Sequence, residues 1–172
     1  MYYPVKEVRI LSGARHNTFG WVRKGGTKAH QGWDFEARDN TPLYAVGHGE
    51  VVHADRIDDS RLGKQILIQL DGYGEELYAM YAHINTSLVS KYDVVAPGDL
   101  IGYSGSTGNA KGSKPWEQHL HFEFRNRRYA PSGLEGRVDP VKYFGPPPYS
   151  WMCHPGPINN EYSYADGTYA YA

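Results

Sequence analysis

Short runs in which apolar and polar residues alternate dominate the sequence between about residues 43 and 125. Successive side chains of a β-strand point to opposite faces, so a period of two predicts strands with one buried face. The clearest runs are KQILIQL (64–70), EELYAMYAHI (75–84), LIGYS (100–104) and HLHFEF (119–124). The pattern therefore predicts a mainly β chain whose strands are joined by turns and long loops.

Glycine-containing turns connect these runs and indicate antiparallel pairing. DGYG (71–74) separates the first two runs, which predicts an antiparallel hairpin. LYAVGHGEVVHA (43–54) has two glycines and predicts either a hairpin or a bulged strand. Only INTSLVSKY (84–92) is expected to hold a helical turn, and GSTGNAKGSKPWEQ (105–118) predicts a long loop.

The regular pattern ends near VDPVKYF (138–144), and GPPP (145–148) then interrupts it because proline lacks a backbone N–H. We therefore divide the chain into one domain, residues 1–144, and a Pro/Tyr-rich tail, residues 145–172. A chain of 172 residues is long enough for one domain with an ordinary core. We expect the tail aromatics to pack against the domain, with a grip on a glycan or a partner as the alternative.

The composition excludes several classes of protein. Apolar residues make up 40 %, charged residues 22 %, and the formal net charge is −1, so no basic excess indicates nucleic-acid binding. No stretch approaches the ~20 apolar residues of a membrane span. The start, MYYPVKEVRI, lacks the apolar core of a secretory signal. The single cysteine, Cys153, excludes an internal disulfide and is expected to be a small packed residue.

Two histidine motifs carry the candidate chemistry. His119 and His121 flank one leucine in a strand-like run and should therefore share a face. In HQGWDF, His30 and Asp34 are four apart, which places both on one side of an extended segment. Imidazole and carboxylate groups are good zinc ligands, and one imidazole from HLH would complete a three-ligand set that leaves a fourth position for water. MYAHI adds His83 at a strand end.

Other polar features have simpler explanations. RNRR (125–128) is expected to be a solvated loop because the overall charge is near neutral. No HExxH sequence is present, so a metallopeptidase with a glutamate base of that type is not supported. Four further histidines lack any motif and are expected to be surface or packed residues: His16, His48, His53 and His154.

Taken together, HQGWDF, YAHI and HLHFE resemble, in order and approximate spacing, the three motifs of the M23 (lysostaphin/LytM-type) zinc peptidases. NTPLYAVGHGEV and GDLIGYSGSTG are also similar to segments of that family. The resemblance covers roughly residues 15 to 126. It departs at the loop before HLH, which NAKGSKPWEQ lengthens and where Gln118 replaces the usual proline.

The resemblance implies a fold and a set of roles. The fold would be an antiparallel β-sheet peptidase domain of the LytM/lysostaphin type, with long loops around a groove. By motif position, His30, Asp34 and His121 would bind one zinc ion per chain, while His83 and His119 would form the catalytic pair. Residues that bind the substrate are not assigned. The implied activity is hydrolysis of peptide cross-links in bacterial peptidoglycan, with a D,D-endopeptidase favoured over a glycine-bridge enzyme.

Two alternatives remain at this point. Some relatives of the family are non-catalytic LytM-like modules that bind and activate other wall enzymes, and these lack a ligand histidine or aspartate, whereas all five positions are filled here. The second alternative concerns biological role, because the substrate lies in the periplasm or the extracellular wall and no signal peptide is visible. The chain could be a delivered antibacterial toxin with an immunity protein as partner, a phage-type lysin, or a trimmed form of an exported hydrolase.

Overall fold

The computed structural model describes residues 1–54 and 61–153, together with one pair of short strands within 162–170. The strands, numbered along the chain, are β1 (Glu7–Val8), β2 (Gly20–Arg23), β3 (Lys28–His30), β4 (Trp33–Glu36), β5 (Pro42–Tyr44), β6 (Gly49–Ala54), β7 (Gln65–Leu70), β8 (Tyr78–Ala82), β9 (Ile84–Ser87), β10 (Val94–Val95), β11 (Leu100–Ser104), β12 (His119–Arg125), β13 (Arg137–Val138), β14 (Met152–Cys153), β15 (Tyr162–Ser163) and β16 (Tyr169–Ala170). The helical elements of the described residues are α1 (Val141–Phe144) and single 3₁₀ turns at Leu11–Gly13, Arg15–Asn17, Lys24–Gly26 and Gly108–Ala110.

A seven-stranded sheet forms the centre of the fold. Its strands run in the order β10-β6-β7-β8-β12, and both β4 and β13 pair with β12 on the side away from β8. Every described pairing is antiparallel, so the predicted mainly antiparallel β fold is confirmed. The predicted hairpin is β7–β8, in which Gln65 lies opposite Ala82. A smaller sheet has the order β5-β11-β9.

The two faces of β12 have opposite character. Leu120, Phe122 and Phe124 point into the apolar core and are fully buried, whereas His119 and His121 lie on the other face. Large side chains from other elements pack on the apolar face: Tyr3, Trp33, Phe35, Tyr81 and Phe144. Because a slip of one residue would move the histidines into this core, the apolar face fixes the register of β12 against its neighbours.

Two local expectations are corrected by the pairing. LYAVGHGEVVHA does not form a hairpin, because β5 pairs with β11 and β6 with β7. The strand β6 does contain a bulge, but the register shift lies between Val51 and His53 rather than at the expected glycines. The helical turn in residues 84–92 is wrong for its first part, because Ile84–Ser87 forms β9. This segment pairs with β11, so its backbone groups form hydrogen bonds to that strand rather than within a helical turn.

The chain beyond residue 144 returns to the N-terminal segment. The Ile10 N–H donates to the Pro148 carbonyl, and β14 pairs with β1, with Met152 opposite Val8. His154, Tyr164 and Tyr171 lie outside the described residues, as do the side chains of Tyr162 and Tyr169, so the division at residue 144 stays a prediction. No helix among the residues that the structure describes is both long and apolar enough to cross a membrane.

Candidate metal and catalytic site

The candidate metal ligands lie on three strands: His30 on β3, Asp34 on β4 and His121 on β12. β4 and β12 are paired so that Asp34 lies directly opposite His121. His30 is the last residue of β3, and Gly32 follows it in the connection to β4. A Cβ at Gly32 would lie 1.9 Å from the Phe122 carbonyl oxygen, so only glycine allows the backbone to pass β12 this closely. The glycine of HQGWDF therefore brings His30 and Asp34 against the same face of β12.

The three side chains meet at one point. His121 Nδ1 lies 2.7 Å from Asp34 Oδ1, His30 Nε2 lies 3.1 Å from the same oxygen, and the two imidazole nitrogens are 3.2 Å apart. All three residues are buried, with at most 5 % exposure. The predicted ligands therefore form a compact triangle of two nitrogens and one oxygen.

Hydrogen bonds outside the triangle fix which nitrogen of each ring faces inward. His30 Nδ1 lies 2.9 Å from the Thr18 carbonyl oxygen, and His121 Nε2 lies 3.0 Å from Glu123 Oε1. A carbonyl or carboxylate oxygen can only accept, so each ring directs an N–H outward. In the neutral tautomer the inward nitrogen of each ring then carries its lone pair. Outer partners of this kind commonly orient metal-bound histidines.

The electrostatics of the triangle favour a positive charge. Burial opposes it, but hydrogen bonds to Asp34 and Glu123 raise the pKa of His121 to about 9. Burial also opposes ionisation of Asp34, yet the neighbouring His30 and His119 rings hold the pKa of that carboxyl well below its usual value. Without a metal ion, this positive charge is a proton on His121, whose inward Nδ1 donates to Asp34; a metal ion bound by the three side chains would take the place of that proton.

The donor set fits zinc. Ligands at the usual bond lengths of about 2.0–2.2 Å around a tetrahedral ion lie roughly 3.3 Å apart, close to the separations in the triangle. Among the described residues, His30, Asp34 and His121 also form the group of donor atoms close enough to share one ion. Two imidazoles and one carboxylate are a ligand set typical of catalytic zinc, in which a fourth position is left for water.

The other two predicted histidines lie beside this triangle. The His83 and His119 ring centroids are 5.1 Å apart, and His119 Nε2 lies 3.8 Å from Asp34 Oδ1. His83 Nδ1 is 2.9 Å from the Thr107 carbonyl oxygen, and His119 Nδ1 is 2.8 Å from that of Glu117. Both rings therefore donate through Nδ1, and in the neutral tautomer Nε2 of each ring is the atom that can take a proton.

His83 is held in an unusual conformation and environment. It follows β8 with a φ of 60°, in the left-handed region that costs a residue with a Cβ roughly 1–2 kcal/mol. Its backbone N–H donates to the Leu62 carbonyl. Burial, followed by the neighbouring His121 and His119 rings, lowers the pKa of His83 to about 4. The ring is therefore neutral at neutral pH and available as a proton acceptor.

Three ion pairs support the ligands, and none of them was predicted. Glu123 accepts hydrogen bonds from Arg125 Nε at 2.6 Å and Arg137 Nε at 2.9 Å. Burial raises the pKa of Glu123, but His121 and Arg125 outweigh this and bring it to about 2. The expectation that 125–128 is a solvated loop is wrong for Arg125, which ends β12 and is 7 % exposed. A further ion pair holds the ligand Asp34, whose Oδ2 accepts from Arg23 Nη2 at 2.6 Å.

The structure brings the five predicted site residues together. Glu123 was visible in HLHFE, and its position two residues after His121 on a strand was the signal that would have placed it on the same face. Arg23 gave no such signal, because it reaches Asp34 from the separate strand β2. The histidines expected at the surface are exposed where the structure describes them: His16, His48 and His53.

Comparison with known proteins gives consistent results. The model of peptidase family M23 matches residues 28–137. The peptidoglycan DD-endopeptidase ShyA of Vibrio cholerae is 35 % identical over 94 residues, which are 55 % of this chain and 20 % of ShyA. A solved structure of a zinc-containing peptidase from Vibrio cholerae is 30 % identical with a TM-score of 0.60, and the match covers 84 % of this chain and 40 % of that one. The catalytic domain of lysostaphin from Staphylococcus simulans is 27 % identical with a TM-score of 0.58, and the match covers 74 % of this chain and 87 % of that domain.

The matched region is only part of longer relatives. The chain spans about a quarter to two fifths of the length of the first curated relatives that it matches. The lysostaphin catalytic domain, in contrast, is matched over most of its length. The similarity therefore concerns a peptidase domain and the residues within it.

Proposed function

The chain belongs to peptidase family M23, whose model matches residues 28–137, and from this premise we propose that it is a zinc-dependent endopeptidase that hydrolyses the peptide cross-links of bacterial peptidoglycan. The observation that carries the proposal is the triangle of His30 Nε2, Asp34 Oδ1 and His121 Nδ1, whose atoms lie 2.7–3.2 Å apart. The names of the relatives agree with this substrate, since ShyA is a peptidoglycan DD-endopeptidase. We assign the chain to the D,D-endopeptidases within this class.

In this assignment the three ligands hold one zinc ion per chain. Zinc bound there supplies a Lewis acid that lowers the pKa of a water molecule and polarises a peptide carbonyl. His30 and His121 contribute fixed nitrogens because Thr18 and Glu123 hold their outer N–H groups. The ligands therefore need little reorganisation when the substrate binds, which keeps the charge-stabilising geometry intact during the reaction.

His83 and His119 are assigned to proton transfer. Each keeps Nε2 as an acceptor while a backbone carbonyl holds Nδ1, so each ring can take a proton from the attacking water and return one to the leaving amine. The short distance between the two rings, whose centroids are 5.1 Å apart where the chain leaves β8 and β12 begins, supports this assignment. The imidazolium that forms would also stabilise negative charge on the carbonyl oxygen.

The alternative is a non-catalytic module that activates other wall enzymes. Such a module needs neither an intact ligand set nor histidines that can transfer protons. Here all three ligand positions are occupied by ligand residues whose side chains meet, and His83 and His119 lie beside each other. The roles of a delivered toxin with an immunity partner, or of a lysin, stay predictions from the sequence. They share the same reaction and differ only in where the chain is delivered.

Digestion of purified peptidoglycan tests the proposal. The zinc-loaded chain should release uncrosslinked or shortened muropeptides while the glycan strands stay intact, as measured by mass spectrometry of the soluble products. Cut sugar chains, or release of whole peptides from the glycan, would assign a different bond. Cleavage only of walls that carry glycine bridges would keep the enzyme class and replace the D,D-specificity.

A further inference from the structure

A cavity of about 810 Å³ lies next to the metal ligands rather than around them. Glu36 and Gln118 line it, and both adjoin the site: Glu36 is paired with His119, and Gln118 immediately precedes that histidine. Glu36 is two residues beyond Asp34 on β4, which is about 7 Å along a strand. A substrate that occupies the cavity can therefore extend directly to the reacting centre.

The loop that departs from the family pattern builds one wall of this cavity. Pro115 and Trp116 come from that loop and line the cavity, and Trp116 is 67 % exposed. Gln118 anchors the loop, because its side-chain Oε1 accepts from the Asp39 N–H at 3.0 Å and its carbonyl accepts from the Ala37 N–H at 3.4 Å. The replacement of proline by Gln118 thus ties the longer loop to the segment after β4.

Charged side chains line the cavity with an excess of cations. One cation is already neutralised: Arg9 Nη1 lies 3.2 Å from Glu36 Oε1, which also accepts from the Ser12 N–H at 3.0 Å. Lys6 lies with its ammonium 5.2 Å from the centre of the Tyr44 ring. The complete set of charged lining residues is Lys6, Glu7, Arg9, Glu36 and Arg38.

Two of these cations lack a carboxylate partner among the described residues. Within the described parts of the chain, neither Lys6 nor Arg38 forms a salt bridge, and both are exposed. Glu7 is the one lining carboxylate that also lacks an ion-pair partner there. The free groups of the cavity therefore carry a net positive charge, and an anionic ligand would be attracted to it.

We propose that this cavity is a substrate subsite for the free carboxylates of an acidic stem peptide, with Lys6 and Arg38 as the groups that bind them. The inference rests on the proposed function and specifies its substrate. Ammonium and guanidinium groups form strong, charge-assisted hydrogen bonds with carboxylates. A bridge of glycine residues carries no charged side chains and would gain nothing from Lys6 and Arg38. The cavity thus favours cross-linked acidic stem peptides over glycine bridges.

The test uses two synthetic peptides with the same scissile bond. In one the stem carboxylates are free, and in the other they are converted to amides. The zinc-loaded chain of 172 residues should cleave the acidic peptide with a kcat/KM about tenfold higher at low salt. The gain should come mainly from a lower KM, and it should be modest because an open site weakens hydrogen bonds to charged groups. Lys6→Gln and Arg38→Gln should each reduce this preference, and the double variant should abolish it.

Two further variants control for charge in general. Lys91 also lies over a tyrosine ring, 4.4 Å from the centre of Tyr92, but does not line the cavity. Lys91→Gln should therefore keep the full preference for the acidic peptide. Glu7→Gln removes the competing carboxylate and should increase that preference. Zinc content and the thermal midpoint of each variant confirm that it is folded.

Calorimetric binding of the two peptides separates this inference from the proposed function. Stronger binding of the acidic peptide without cleavage would support the subsite and contradict the proposed reaction. Equal binding and cleavage of both peptides would overturn the subsite while leaving the reaction in place. A preference that survives in the double variant, or that Lys91→Gln removes equally well, would also overturn it. So would competition by soluble aminosugar oligomers in place of acidic peptides.

Discussion

His30 Nε2 lies 3.2 Å from His121 Nδ1, although each ring already directs its other nitrogen at an oxygen acceptor. Two neutral imidazoles in these tautomers would present lone pairs to each other beside the ionised Asp34. Such an arrangement is unfavourable unless a positive charge lies among these atoms, and that charge is either a proton on His121, whose pKa is raised to about 9, or a bound metal ion. The contact between these two histidines therefore connects the hydrogen bonds around the site with its proposed metal.

Removal of metal should lower both activity and stability. We expect about one zinc per chain by elemental analysis, and loss of wall digestion when a strong chelator removes it. Because zinc would bind the folded chain and not the unfolded one, saturating metal should stabilise the fold by about 4 kcal/mol at a thousandfold excess over its dissociation constant. Thermal melting with and without chelator measures this. A chain that contains no zinc and digests walls equally well in chelator would contradict the metal assignment.

Gly32→Ala should disrupt the site without changing any ligand. The new Cβ would lie 1.9 Å from the Phe122 carbonyl oxygen, so β4 and β12 must separate next to Asp34 and His121. We expect a loss of at least about 3 kcal/mol in the free energy of unfolding, together with weaker zinc binding. Gly72→Ala is the control, because no atom lies within 4 Å of a Cβ at Gly72 and its positive φ is the remaining source of destabilisation, at roughly 1–2 kcal/mol. Equal melting points for the two variants would contradict the close approach.

Much of the site could be predicted from the sequence because its signals are local. The HLH run lies in one strand, and its period of two places both histidines on one face. The spacing in HQGWDF and the position of His83 in MYAHI made these residues candidates, the motif resemblance gave them roles, and the structure brings them into contact with that face. The register between β4 and β12 was not readable from either strand alone, because it depends on which residues the Phe122 side of the sheet buries.

The groups around the ligands escaped prediction for a different reason. Thr18, Glu117 and Thr107 contribute carbonyl oxygens, which every residue possesses, so their side chains carry no information about the role. Arg137 reaches Glu123 from β13 and was hidden for the same reason as Arg23: both act across strand pairs that the sequence does not specify. The cavity wall was equally hidden, although the longer loop marked where the chain differs from the family pattern.

Glu123→Gln should weaken zinc binding although Glu123 is not a ligand. The change removes the negative charge that holds His121 and leaves Arg125 and Arg137 buried without a carboxylate. We expect a 10–100-fold lower zinc affinity and a loss of about 3–5 kcal/mol in stability. The control is Glu135→Gln, because Glu135 pairs with Arg127 at an exposed position where such a pair contributes about 0–1 kcal/mol. Unchanged zinc affinity in Glu123→Gln, measured by competition with a chelating dye, would contradict the positioning role.

The compartment in which the chain is produced should decide its toxicity. Peptidoglycan is absent from the cytoplasm, so cytoplasmic expression in a bacterium should be tolerated. Export of the same chain to the periplasm with an added leader should round or lyse the cells, and His83→Ala should remove this effect at equal expression. Growth curves and microscopy measure the difference. Normal growth of cells that export the folded, zinc-loaded chain would count against wall hydrolysis.

His119 and His121 share one face of β12 but should respond differently to replacement. His121→Ala leaves only His30 and Asp34 as ligands, so zinc content and activity should fall together. His119→Ala retains all three atoms of the triangle, so zinc should stay near one per chain while kcat falls by about 10²–10⁴-fold, the usual contribution of general acid–base catalysis. His83→Ala should resemble His119→Ala, and the double variant should lose less than the product of the two effects, because both rings serve one proton path. Zinc stoichiometry measured beside the rate for each variant decides the assignment: loss of zinc in His119→Ala with retention in His121→Ala would reverse the two roles.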